Sequence, residues 1–351
     1  MKNHNKAAFT GIAIALGAAL AMTACTPQGS SSQGSGVTSL DKVNVALVPG
    51  GAHPYFQPWK QGGEAAVKDF GIGKVTFNET GEWDQTKQNS AIDALGAQGY
   101  NAFGIFGVSA TDIDTTFQGL KKQGFAVGAL AACPAGDTDS ADFCLSTDTG
   151  TAAYTAAKAA IKAMGGSGNL VHLTGNAVDT NTQRRIAGVQ KAVAETNGSV
   201  KLLTTVTDID KDLQSAQKAV SDLLATRGSQ INGIVTTAGN PAVAATQGVG
   251  DSHLPIKVIA TDDDPIVIRA VKDGTIAGTV VQNPYGQGYV GTWALASLEA
   301  GVCKVVKPGF SIDSGSFLVT KDNATTYDNE RLAKTKELLT EFQTKLFDCK
   351  K

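Results

Sequence analysis

Val43-Asn44-Val45-Ala46-Leu47-Val48 runs into Pro49-Gly50-Gly51-Ala52-His53-Pro54-Tyr55-Phe56-Gln57-Pro58-Trp59. A short β-branched apolar run bounded by Pro-Gly-Gly reads as a buried strand, and Trp59–Phe70 beyond it reads as a helix. The same unit then repeats. Strands are predicted at Val75–Asn78, Ala102–Phe106, Ala126–Leu130, Leu170–Thr174, Val200–Val206, Gly233–Thr237, Ile256–Ala260 and Gly278–Val281. Helices are predicted between them at Gln85–Gln98, Ala110–Lys122, Thr151–Met164, Thr182–Thr196, Leu213–Thr226, Pro241–Gly248 and Pro265–Lys272. Asp84 and Thr111-Asp112 stand where helix caps belong. Strand alternating with helix at this spacing demands parallel sheets with right-handed crossovers. So many units exceed one small sheet, and they divide near Ser146-Thr147-Asp148. The fold class is therefore α/β, in two doubly wound lobes.

Ligand sites of such lobes lie outside the carboxyl ends of the strands. The loop after the first strand gathers His53, Tyr55, Phe56 and Trp59 with three prolines. Flat rings suit the C–H faces of a sugar or polyol, while Tyr and His add polar handles. Trp83 follows the second strand within Thr80-Gly81-Glu82-Trp83-Asp84. Thr261-Asp262-Asp263-Asp264-Pro265 follows another, offering carboxylates for hydroxyl groups and for capping the next helix. Gln282, in Gln282-Asn283-Pro284, both donates and accepts, as a hydroxyl partner must. Each of these rings and carboxylates has an alternative as loop packing or a helix cap.

The amino terminus sets the compartment. Lys2 and Lys6 precede a small apolar run, and Ala21-Met22-Thr23-Ala24-Cys25 is a small-residue cleavage site ending in cysteine. Residues 1–24 read as a lipoprotein signal peptide, with Cys25 as the lipidated residue. The apolar run is shorter than the roughly 20 residues that span a bilayer. Residues 25–40 are Gly/Ser-rich and read as a flexible tether to the outer face of the cell membrane. Of five cysteines, removing Cys25 leaves Cys133, Cys144, Cys303 and Cys349, an even number in an oxidising compartment. Four cysteines allow three pairings, and proximity in sequence favours Cys133–Cys144 and Cys303–Cys349.

The net charge of −2 gives no electrostatic basis for nucleic-acid binding. His4, His53, His172 and His253 are too scattered for a metal site, and no P-loop pattern occurs, so no cofactor is expected. Gly250-Asp251-Ser252-His253 resembles a hydrolase motif but falls in a polar turn at the wrong end of the sheet. The chain is expected not to be an enzyme.

His53-Pro54-Tyr55-Phe56 before Gly62-Gly63-Glu64-Ala65-Ala66 resembles the opening of the type I periplasmic sugar-binding proteins. Ala91-Ile92-Asp93-Ala94-Leu95, Ala187-Gly188-Val189, Val258-Ile259-Ala260-Thr261-Asp262 and Gly278-Thr279-Val280-Val281-Gln282 extend the resemblance in order along the body. The resemblance implies two Rossmann-like lobes joined by three crossovers, near 147–148, 282–283 and 310–311. One lobe would comprise 41–147 plus 283–310, the other 148–282 plus 311–351, the tail stapled by its disulfide. It implies the lipoprotein component of an ABC importer, a monomer, delivering a small carbohydrate or polyol to a permease and its ATPase. Residue by residue, Tyr55 and Phe56 would stack on the ligand, with Trp83 at one side; Asp262, Gln282, Asn240 and Gln183 would take its hydroxyls. The family's Asp-Arg pair after the fourth strand is missing from Leu130-Ala131-Ala132-Cys133, and Gln183 stands where the family has arginine, with Arg184 or Arg185 as substitutes. The missing charged fork implies a sugar alcohol, a deoxysugar or an unusual pentose rather than D-ribose or D-galactose. The alternatives are a receptor for a furanosyl signalling molecule and a ligand-sensing repressor of the same fold, the latter disfavoured by the export signal.

Overall fold

The computed structural model describes residues 39–136 and 139–350. The signal peptide, Cys25 and most of the tether lie outside the described residues. No helix among the described residues is long and apolar enough to cross a membrane.

The first lobe carries β1 (Asn44–Val48), α1 (Gln57–Phe70), β2 (Lys74–Phe77), α2 (Gln85–Ala97), β3 (Ala102–Ile105), α3 (Ile113–Lys122), β4 (Ala126–Leu130) and β5 (Phe143–Ser146). The second carries α4 (Thr149–Ala163), β6 (Gly168–Leu173), α5 (Thr180–Ala194), β7 (Val200–Val206), α6 (Leu213–Arg227), β8 (Gly233–Thr236), α7 (Gly239–Ser252), β9 (Lys257–Thr261), α8 (Pro265–Asp273) and β10 (Gly278–Gln282). The chain then returns to the first lobe through α9 (Pro284–Glu299), β11 (Cys303–Val305) and β12 (Phe310–Asp313). It ends with β13 (Ser316–Val319), α10 (Tyr327–Glu341) and β14 (Phe347–Cys349).

One sheet has the order β12-β5-β4-β3-β1-β2, and its pairings are parallel. The other runs β13-β10-β9-β8-β6-β7, with β13 antiparallel to β10 and the remaining pairs parallel. Strands such as β3 and β4 are buried along their length because helices cover both faces. Helices pack closely where glycine allows it. A Cβ on Gly62 would overlap the Tyr285 carbonyl of α9, and one on Gly188 the Gly150 carbonyl of α4.

Several features depart from the sequence expectation. The strands β5 and β11 to β14 and the helix α9 are absent from it. α9 is apolar almost all round and buried at the centre of the first lobe, so it shows no amphipathic period. The third crossover falls at Ser314-Gly315, between β12 and β13, rather than at 310–311. The division that gives 311–351 to the second lobe is therefore corrected: β12 pairs with β5, and Leu338, Phe342 and Phe347 pack in the first-lobe core. Phe143, Phe310, Phe342 and Phe347 meet there edge-on and stacked, which draws the tail onto that lobe. The structure contains both Cys133–Cys144 and Cys303–Cys349, the latter closing the β11–β14 ribbon.

The crossovers are laced together. Thr147 and Ser314 share a hydroxyl hydrogen bond of 3.2 Å, the Asn283 amide donates to the Ser314 carbonyl at 3.0 Å, and the Asp148 backbone N–H donates to Asp313 at 2.9 Å.

Candidate functional site

The carboxyl ends of the two sheets face each other, and four loops bring charged and aromatic groups together. From the first lobe, the loop after β1 presents His53 and Tyr55. Nδ1 of His53 accepts from the Tyr55 backbone N–H at 3.2 Å, which leaves the ring hydrogen on Nε2. That nitrogen is buried without a hydrogen-bond partner and lies 3.8 Å from Asp210 of the second lobe. Burial works against the imidazolium, but the Asp210 carboxylate, with Asp262 behind it, outweighs burial and raises the His53 pKa. The lobes also touch where the Asn181 amide donates to the Ala131 carbonyl at 3.2 Å.

The Tyr55 hydroxyl donates to Oε1 of Gln287 at 3.1 Å, and burial holds the phenol well above its ordinary pKa. Phe56 is only 3% exposed, in edge contact with Tyr55, Trp59 and Phe106, so most of its ring belongs to the first-lobe core. Trp83 takes a left-handed backbone (φ 58°), lies against Gly50 and Gly51 of its own lobe, and remains 46% exposed at the rim.

From the second lobe, the three carboxylates after β9 have separate jobs. Asp264 caps α8 by accepting from the Ile266 N–H at 2.8 Å. Asp263 accepts from Arg331 at 2.8 Å. Asp262 sits in the left-handed region (φ 65°) and accepts from the Gln282 amide at 2.8 Å. A non-glycine residue held in that conformation is strained, and such strain collects at functional sites. Burial pushes the Asp262 pKa up to about 6, against the Gln282 hydrogen bond. Arg185, on α5, lines a small pocket at the strand ends of the second lobe with Thr149, Thr237, Thr261 and Gln282. Its charge acts on Asp262, Tyr55 and His53, and it makes no ion pair among the described residues. Beneath it, fully buried His172 shares a hydrogen bond of 2.8 Å with Thr237, and burial lowers its pKa to about 3.

Tyr55, Asp262 and Gln282 are thus brought to one place. Asn240 borders it, but its backbone and side-chain N–H groups both donate to Asp210 at 2.9 Å, so it holds that loop. Gln183 is exposed and its amide donates to the Ala177 carbonyl, away from the Asp262–Gln282 pair; Arg185, named above as a substitute for the family's arginine, lines the pocket with Gln282. Asp210 and Gln287 were missed. The strand-end rule applied to β7 would have flagged Asp208-Ile209-Asp210. Gln287 lies inside an apolar helix and carries no such signal. Among the described residues no group of His, Cys, Asp and Glu is placed to hold a metal ion.

The raised Asp262 pKa has a consequence for stability. An acid bound more tightly by protons when folded contributes stability at low pH and loses it as pH rises toward about 6. Asp262→Asn, which keeps the acceptor for Gln282, is therefore expected to be more stable than the parent at pH 7, by roughly 1–2 kcal/mol after allowance for solvent at the cleft. The advantage should disappear by pH 4. Urea midpoints at both values check it; an equal difference at the two pH values would refute the assignment.

Two helix-flanked parallel sheets with facing strand ends and polar groups between them define a two-lobed solute-binding protein. The chain belongs to the periplasmic binding protein domain family, whose model matches residues 45–301. No curated protein matches the sequence. Among solved structures, an ABC transporter solute-binding protein from Burkholderia graminis in complex with D-arabinose is 24% identical. It has a TM-score of 0.73, and the match covers 83% of this chain and 99% of that one. A periplasmic solute-binding protein from Actinobacillus succinogenes with bound D-allose is 21% identical, with TM-score 0.73 and coverage of 81% and 100%. One from Agrobacterium vitis bound with α-D-tagatopyranose is 21% identical, with TM-score 0.72 and coverage of 82% and 98%.

Proposed function

We propose that this chain is the extracytoplasmic solute-binding lipoprotein of an ABC importer, held by a lipidated Cys25 and the Gly/Ser tether. It captures a small uncharged sugar or sugar alcohol between its lobes and delivers it, as a monomer, to a membrane permease driven by an ATPase. The observation that carries this reading is the Asp262–Gln282 pair at the second-lobe strand ends, with the charges of Asp262 and Arg185 acting on Tyr55 of the first lobe. A phenol face, an unpaired guanidinium, a carboxylate and an amide together can stack on a ring and both donate to and accept from hydroxyls. The sugars named for the three neighbours belong to the same ligand class.

The stretch Leu130-Ala131-Ala132-Cys133 supports a sugar alcohol, deoxysugar or unusual pentose over D-ribose. The resemblance puts an Asp-Arg pair there, and in this chain the Ala131 carbonyl is taken by Asn181 across the cleft. Protein closes that end of the site without a charged fork.

A thermal-shift panel of pentoses, hexoses, deoxysugars and C4–C6 polyols tests the proposal, since a ligand of the folded state must raise the midpoint by mass action. A flat panel with folded protein would sink the carbohydrate reading and shift attention to furanosyl signalling molecules. With a hit in hand, Asp262→Ala is expected to weaken binding by on the order of 1–3 kcal/mol, because a ligand hydroxyl loses its acceptor. Unchanged affinity by calorimetry removes Asp262 from the site.

A further inference from the structure

The helix α10 connects the lobes a fourth time. At its start, Tyr327 packs against the second-lobe core; at its end, Leu338 is buried in the first-lobe core. The far end is fixed by the β11–β14 ribbon and by Cys303–Cys349. Midway, the buried Thr335 hydroxyl donates to the Asn283 side chain at 3.2 Å, at the second crossover. The near end grips the loop after β9. Arg331 pairs with Asp263 at 2.8 Å and with Asp328 at 2.6 Å, and the Tyr327 hydroxyl donates to the same Asp263 oxygen at 3.4 Å. Arg331 and Asp263 are both largely buried, so this contact is shielded from the screening that weakens surface pairs.

Asp263 immediately follows Asp262, whose left-handed backbone must be held by its surroundings. Its backbone N–H donates to the Val280 carbonyl, and its carbonyl accepts from Thr279. Among the described residues, the Asp263 side chain beyond it is anchored by α10, through Arg331 and Tyr327.

We infer that Arg331 is a positioning residue for the ligand site: acting from the C-terminal helix through Asp263, it fixes the loop that aims Asp262 into the cleft and ties that loop to the opposite lobe. The inference rests on the reading of Asp262 as a ligand acceptor. It means that affinity depends on a segment outside the cleft, beyond the third crossover.

Arg331→Met, Arg331→Lys and Asp263→Asn, made in the full chain, test it. The sugar from D-arabinose, D-allose and D-tagatose that binds the parent best serves as probe, and calorimetry at 25 °C reads its affinity. Arg331→Met and Asp263→Asn are expected to bind it roughly tenfold more weakly while remaining folded, with Arg331→Lys recovering part of the loss. Parent affinity in Arg331→Met, whatever its melting temperature, overturns the proposal, because a purely structural role lowers only the melting temperature. If Arg331→Met fails to fold, the other two variants decide by the same criterion. If none of the three sugars binds the parent, their capture is ruled out, and small-angle scattering of the ligand-free proteins decides the positioning role separately. A larger radius of gyration in Arg331→Met supports the tie between lobes, and an unchanged one overturns it.

Discussion

Gln287→Met is expected to lower the stability of the folded chain by about 3 kcal/mol. The residue is 0% exposed, inside the central helix α9. Its Oε1 accepts from the Tyr55 hydroxyl at 3.1 Å and from Nε1 of Trp59 at 2.9 Å, while its Nε2 donates to Ser314 Oγ at 2.9 Å. Methionine preserves the length of the side chain and none of these bonds. Tyr55 and Ser314 keep Thr147 as a second partner, but the fully buried Trp59 N–H has none left. An orphaned buried donor costs about 1–3 kcal/mol, and the weakening of its two neighbours adds to that. The effect reaches the site, because Gln287 links Tyr55 directly to the crossover residue Ser314, alongside Thr147. Urea unfolding measures the loss; a change smaller than about 1 kcal/mol would mean that the network relaxes around the substitution.

Replacing Cys303 and Cys349 together by serine is expected to cost about 4 kcal/mol, from the loop entropy restored to the unfolded chain by a bridge spanning 46 residues. The bridge Cys133–Cys144 spans 11 residues, and the same argument gives about 3 kcal/mol. The order of the two effects is the sharper test. The long bridge also holds β14 to β11, so its loss should raise hydrogen exchange across residues 327–349 before other parts of the first lobe. If the double variant matched the parent in denaturant midpoint, the tail would be held by its phenylalanine cluster alone.

The two-lobe α/β plan was legible because each buried parallel strand announces itself as a continuous apolar run followed by a turn. The placement of Tyr55, Asp262 and Gln282 just beyond strand ends was legible for a related reason, since the same apolar runs mark where each strand stops. The rest fails in physical ways. α9 is surrounded by protein, so its sequence lacks the polar face that marks a surface helix. Arg185 and Gln183 lie two positions apart on α5, and helix rotation alone decides which faces inward. Asp263 and Asp262 are chemically identical neighbours, separated in role only by the left-handed turn between them and by an arginine 68 residues away.

The first lobe is assembled from separate stretches of chain, with α9 at its middle. During synthesis, β1–β5 emerge long before residues 284–299 and cannot complete a core without them. The second lobe is nearly contiguous and takes only β13 and the chain through the start of α10 from later in the sequence. The amino-terminal half therefore waits, incompletely packed, until almost the whole polypeptide exists. With residues 1–24 acting as the export signal proposed above, that delay would be useful: the part entering a translocation channel first would be the part that finishes folding late.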